Sequence, residues 1–157
     1  MDVSVKRMDE MLTAAYRSII KVEEQMLHEL SGGKLTLGEM HMLESIGKGG
    51  DASMTITELA QDLEITLPSV TAMIKRLERK GYITKDRSSV DGRRVQVLLT
   101  DAGLRAEIAH RYLRRRIIRE LTAELNGAEK AAILSGLEKM NEFIRRRIGD
   151  YAAGKEE

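Results

Sequence analysis

The residues of this 157-residue chain best suited to chemistry are cations and small hydroxyls, and their spacing points to a nucleic-acid surface. Around an apolar stripe of Val70, Met73, Ile74 and Leu77, the opposite face offers Pro68, Ser69, Thr71, Ala72, Lys75 and Arg76. Small hydroxyl side chains at a helix start can approach base edges and phosphates closely. Cations further along the same helix reach phosphates. A second group, Arg87, Asp91, Arg93 and Arg94, surrounds a glycine turn. An inserted arginine is attracted by the negative potential of a narrow minor groove. Asp91 would hold the Arg93 guanidinium in orientation through a charge-assisted pair. Taken singly, each cation also fits a solvated face or a surface ion pair of little consequence.

Other chemistries find no support. Cysteine is absent, which removes disulfides, thiolate nucleophiles and cysteine metal sites. His28, His41 and His110 lack metal-ligand spacing, so no metal and no cofactor is expected. Asp62 and Glu64 flank a turn without a partner nucleophile and read as two solvated acids. Gly47-Lys48-Gly49-Gly50 lacks the strand-to-helix setting of a phosphate loop. The chain is therefore not expected to be an enzyme. With one Phe and no Trp, it has few platforms for stacking single-stranded bases, so the expected partner is double-stranded DNA. The formal net charge is only +1, so a DNA-binding face must concentrate its cations locally. No apolar run approaches the roughly 20 residues of a membrane span. The first residues lack a signal-peptide pattern, and a cytoplasmic location is expected.

The elements that would position these residues follow from periodicity. Apolar residues from Met8 to Leu30 fall on one helical stripe. A second helix is expected over Leu37–Ile46, with Thr36 and Glu39 forming a capping box. Residues 47–51 read as a loop. Thr57–Glu64 reads as a short helix, and 64–66 as a tight turn. Thr66 then caps a helix to about Lys80, with Pro68 in its first turn and Gly81 as its stop. Tyr82–Lys85 and Val95–Leu99 read as two strands of a hairpin. Long helices follow from Thr100 to about Leu125 and from Ala128 to about Tyr151. Residues 152–157 are left as a tail.

At this point the residues resemble the MarR family of transcriptional regulators. The likeness rests on Ile56-Thr57-Glu58-Leu59-Ala60, on Ser69-Val70-Thr71, and on Arg76-Leu77-Glu78-Arg79-Lys80-Gly81-Tyr82-Ile83. It rests equally on Asp91-Gly92-Arg93-Arg94 leading to Leu99-Thr100-Asp101-Ala102-Gly103. The resemblance implies a mainly α fold with a small β-hairpin wing: a winged helix-turn-helix (residues 36–100) flanked by dimerisation helices (residues 1–35 and 101–151). It also implies a homodimer acting on a pseudo-palindromic operator, with Arg93 entering the minor groove. Ala72 stands where a larger polar residue is common in the family. The run Leu37 to Lys48, with Thr66-Leu67 and Ser69-Val70-Thr71, resembles the fatty-acid-synthesis repressors of this family. That narrower likeness implies an acyl-acyl-carrier-protein as co-repressor.

The apolar stripes of the first and last helices exceed what a small winged domain can cover, which also favours a dimer. Met26, Leu30, Met40, His41 and Leu43 are the expected lining of a ligand site, either for an acyl chain or for a small aromatic ligand that releases the DNA of stress or efflux genes. Arg111, Arg114 and Arg115 lie in a dense basic run. It reads as a solvated face with salt bridges to first-helix acids such as Glu23 and Glu24, or as a landing site for an acidic carrier protein. A winged helix serving protein interaction without DNA remains the alternative.

Overall fold

The computed structural model describes residues 2–86 and 95–153, with side chains described through residue 148. The expected wing residues Arg87, Asp91, Arg93 and Arg94 lie outside the described residues, as do residues 154–157 of the expected tail. The chain divides into two compact units, residues 1–115 and 116–157.

The first unit opens with helix α1, Val3–Ser31. It starts earlier than its apolar stripe because the Asp2 carboxylate accepts the Ser4 N–H at 3.2 Å. Gly32, at φ 59°, ends it in the left-handed region. Helix α2 covers Leu37–Lys48 and carries the expected capping box. The Thr36 hydroxyl accepts the Glu39 N–H at 3.3 Å, and the Glu39 carboxylate accepts the Thr36 N–H at 2.9 Å. Residues 50–52 form a single tight 3-10 turn.

A strand then appears between the expected loop and the next helix, at residues the sequence reading left unassigned. Strand β1, Ser53–Thr55, pairs antiparallel with β3, Gln96–Leu99, which also pairs with β2, Ile83–Asp86. The wing hairpin is thus part of a three-stranded sheet ordered β1-β3-β2. β1 is only three residues long, too short for its period to register against the glycine-rich segment before it.

Helix α3, Ile56–Leu63, begins one residue earlier than expected. Thr55 and Glu58 form a second capping box, with Glu58 Oε2 accepting the Thr55 N–H at 2.7 Å. Glu64, at φ 53°, makes the tight turn. Helix α4, Leu67–Arg79, is capped by Thr66 as expected. Helix α5 spans Asp101–Leu121 and stops four residues short of Leu125. Its end is set by the next cap: Asn126 Oδ1 accepts the Glu129 N–H, and Glu129 accepts the Asn126 N–H at 2.8 Å. Asn126 is therefore the N-cap that starts the next helix. Helix α6, Gly127–Ala153, fills most of the second unit. It includes Ala152 and Ala153, both assigned to the tail from sequence.

The core gathers Leu27, Leu35, Met40, Met42, Leu43, Ile46, Leu59, Val70, Ile74, Leu77, Ile83 and Val97. It locks α2, α3 and α4 to the sheet. That is what fixes the outward face of α4.

Candidate nucleic-acid interface

Helix α4 buries Val70, Ile74 and Leu77, and leaves Pro68, Ser69, Ala72, Lys75, Arg76 and Arg79 exposed. The two hydroxyls are already engaged locally. Ser69 Oγ shares a hydrogen bond with the capping Thr66 Oγ1 at 2.9 Å, and Thr71 Oγ1 donates to the Leu67 carbonyl at 2.9 Å. Thr71 is half-buried, so of the two hydroxyls Ser69 is the freer to meet a base edge. Four backbone N–H groups at a helix start normally lack intrahelical partners; here Thr66 satisfies that of Ser69.

Lys75 and Arg76 of α4 and Lys80 at its C-terminal cap divide into two kinds. Lys75 is exposed and has no ion-pair partner among the described residues. Arg76 and Lys80 both converge on Glu39 of α2. Lys80 Nζ donates to the two carboxylate oxygens at 2.8 and 2.7 Å, and Arg76 Nε lies 3.6 Å from Oε1. Glu39 is 1% exposed. Burial pushes its carboxyl upward, but Lys80 and the Thr36 groups outweigh that, and the net position is below the usual 4.5. Sequence reasoning identified Glu39 only as a cap. Its partner Lys80 is 41 residues away, a separation no local pattern reports.

The helix-turn-helix is braced by further polar links. Asp62 on α3 accepts the Ser45 hydroxyl and pairs with Lys48 of α2 at 3.0 Å. Ser45 first and Lys48 second hold the Asp62 carboxyl below its usual 3.8. Asp62 is thus an exposed acid that also bridges two helices. Lys85 of β2 pairs with Glu78 of α4 at 2.6 Å and ties the sheet to that helix.

The Leu99-to-Gly103 motif has a direct physical account. The Thr100 hydroxyl donates to the Gly81 carbonyl at 2.8 Å and accepts the Gly103 N–H at 3.2 Å. The Thr100 N–H donates to the Tyr82 carbonyl at 3.0 Å. A Cβ on Gly103 would overlap that same Tyr82 oxygen. Threonine and glycine are therefore needed where α5 leaves the sheet beside the end of α4.

Residues 35–95 match the model of the MarR family. FabT of Streptococcus pneumoniae, solved in complex with DNA, superposes with a TM-score of 0.85 and 29% identity, covering 90% of this chain and 98% of that one. The chain is thus similar to the MarR family over residues 35–95, and its fold is that of a winged-helix regulator. The MarR-type fold recurs in MepR of Staphylococcus aureus bound to DNA, at a TM-score of 0.71 and 21% identity over 86% of this chain and 96% of that one. In sequence, the transcriptional repressor MdtR of Bacillus subtilis is 31% identical over 83 residues, which are 53% of this chain and 52% of MdtR. The chain thus spans about half the length of that repressor. The curated relatives carry the names of helix-turn-helix transcriptional regulators, not of enzymes. No described helix is long and apolar enough to cross a membrane.

Two sets of expected MarR site residues are placed differently from the sequence reading. Met40 and Leu43, expected to line a ligand site, are fully buried core residues, because α2 packs against α1, α3 and the sheet. Met26 is also buried, His41 is half-buried and Leu30 is exposed. Arg111 and Arg114 of the α5 basic run pair with acids outside α1. Arg114 pairs with Glu44 of α2 at 2.9 Å, and Arg111 pairs with Glu107 one turn back at 3.1 Å. Glu44 also binds the fully buried His110 through Nδ1 at 2.9 Å. Burial pushes the Glu44 carboxyl up, but His110 and Arg114 bring it below 4.5. Glu107 Oε2 and His110 Nε2 have no hydrogen-bond partner among the described residues. Sequence reasoning found neither Glu44 nor Glu107, since an acid inside an apolar helical face is visible only once its cation is known.

Proposed function

We propose that this chain is a homodimeric, ligand-responsive repressor that binds duplex DNA at a pseudo-palindromic operator. The observation that carries this reading is the outward face of α4, with Ser69, Ala72 and Lys75 exposed on a helix whose opposite face is locked in the core. Such a helix fits the major groove, with its first turn toward base edges and Lys75 toward phosphates. The nearly full-length likeness to a DNA-bound relative supports it. Arg93, with Arg87, Asp91 and Arg94, supplies the minor-groove contact. Two copies pair through α1 and α6, whose exposed apolar residues include Met11 and Ile19 of the first and Leu137 and Ile144 of the second.

The narrower reading assigns the operator to fatty-acid-synthesis genes, with an acylated acyl carrier protein as co-repressor. Met26, Leu30 and His41 are the candidates to meet its acyl chain, and Arg111, Arg114 and Arg115 to meet its acidic surface. Fluorescence anisotropy on a labelled promoter duplex tests both levels. Wild-type binding should weaken steeply with salt, and Arg93→Ala should weaken it most where operator flanks are A·T-rich. Added acylated carrier protein should tighten binding, and Arg114→Glu with Arg115→Glu should abolish that gain. Absence of duplex binding at low salt rejects the repressor. Binding unmoved by the acylated protein rejects only the co-repressor.

A further inference from the structure

The α4 cations are not equivalent, and a single α2 carboxylate makes the difference. Arg76 and Lys80 are four residues apart, and Ser69 lies seven residues before Arg76, so the three share one strip of the helix surface. That strip begins at the residue expected nearest the bases. Its two cations nevertheless turn toward Glu39, which is buried, capped into α2 and unable to follow them outward. Lys75, on a neighbouring strip, meets no such acid among the described residues.

We infer that Glu39 is a positioning residue that withholds Arg76 and Lys80 from the DNA backbone, lowering the sequence-independent part of the grip. The inference rests on the duplex-DNA reading above. A carboxylate bonded through both oxygens to an ammonium occupies the place a phosphate would take. A phosphate must displace it and leave a buried charge behind, a cost that bulk counterions do not share. The sequence-independent contribution then falls to Lys75 and the cations beyond the α4 strip. Contacts at the first turn of α4 decide a larger share of the total affinity. Glu39 thereby sets the ratio of operator to random-sequence binding without touching DNA.

The test is the salt dependence of binding to an operator duplex and to a random-sequence duplex, using the full chain. Glu39→Gln keeps the size of the side chain and an oxygen to accept the Thr36 N–H, while removing the charge. It should steepen the slope of log K against log salt by about one to two, roughly 0.9 for each cation freed. Random-sequence affinity should rise by about five-fold per freed cation near 0.15 M salt, with the operator-to-random ratio falling. A merely structural Glu39 would give weaker binding at an unchanged slope, and that result overturns the inference. Arg76→Ala with Lys80→Met provides a second arm that does not depend on how well Glu39→Gln folds. On the wild-type background the pair should leave the slope within about 0.5 of its original value. Flattening by about two would mean both side chains already contact phosphates, and Glu39 withholds nothing. Wild-type protein that binds neither duplex overturns the DNA reading itself. Wild-type binding with an unmoved Glu39→Gln slope overturns only the withholding.

Discussion

At the scale of single residues, charge accounting separates side chains that look alike. Lys75 and Arg76 are neighbours, yet Lys75 faces solvent while Arg76 leans toward a buried acid. Lys75→Ala should therefore weaken binding evenly across DNA sequences and flatten the salt slope by about one, measured by anisotropy between 50 and 200 mM salt. An unchanged slope would place Lys75 away from the backbone. Glu44 is the other decisive residue. It answers a fully buried imidazole and the Arg114 guanidinium together. Glu44→Ala leaves both without their acceptor and should lower unfolding free energy by about 3 kcal/mol in urea. A midpoint unchanged from wild type would show that water serves those groups as well.

At the scale of elements, short caps and close approaches set where helices begin. Thr36, Thr55 and Thr66 each satisfy an N–H three residues on, and each precedes a helix of the winged domain. Thr66→Ala should cost about 1 kcal/mol and fray the first turn of α4, where Ser69 sits. Gly103 matters for a different reason, since its α-carbon passes the Tyr82 carbonyl too closely for any side chain. Gly103→Ala should destabilise the fold by about 1–3 kcal/mol, read from urea midpoints, because backbone must move to admit the methyl. If that variant melts like wild type, α5 leaves the sheet by another path.

At the scale of the whole molecule, exposed apolar surface and buried acids set association and pH response. Met8, Met11, Leu12 and Ile19 of α1 are all exposed in the single chain. Sedimentation at micromolar concentration should give twice the 17.6 kDa chain mass, and Met11→Glu with Ile19→Glu should return it to a monomer. Acid stability follows from Glu39, Glu44 and Asp62, each held below its ordinary value in the folded chain. A carboxylate with a depressed folded pKa stabilises fully above its unfolded value, and that stability is lost as pH falls through the folded value. Urea midpoints should therefore change little from these groups between pH 7 and 5, then fall below about 4.5. Asp62→Asn should blunt that fall; an identical acid profile would deny Asp62 its part.

Much of this protein is readable along the chain because its causes are local. The Thr36–Glu39 box, the Thr66 cap, the Pro68 first turn and the Val70-Ile74-Leu77 stripe lie within one or three turns of each other, where periodicity and capping act. They were enough to expect helix, turn, helix and wing, and to place Ser69 and Lys75 on the outer side. Tertiary structure alone decided the rest. It added β1 to the sheet, turned Met40 and Leu43 into core, tied Arg114 to Glu44, and brought Lys80 to Glu39. A side chain's net charge toward a ligand depends on which opposite charge the fold sets beside it. That neighbour, 41 residues away for Lys80, is chosen by packing of the apolar core rather than by any spacing in the sequence.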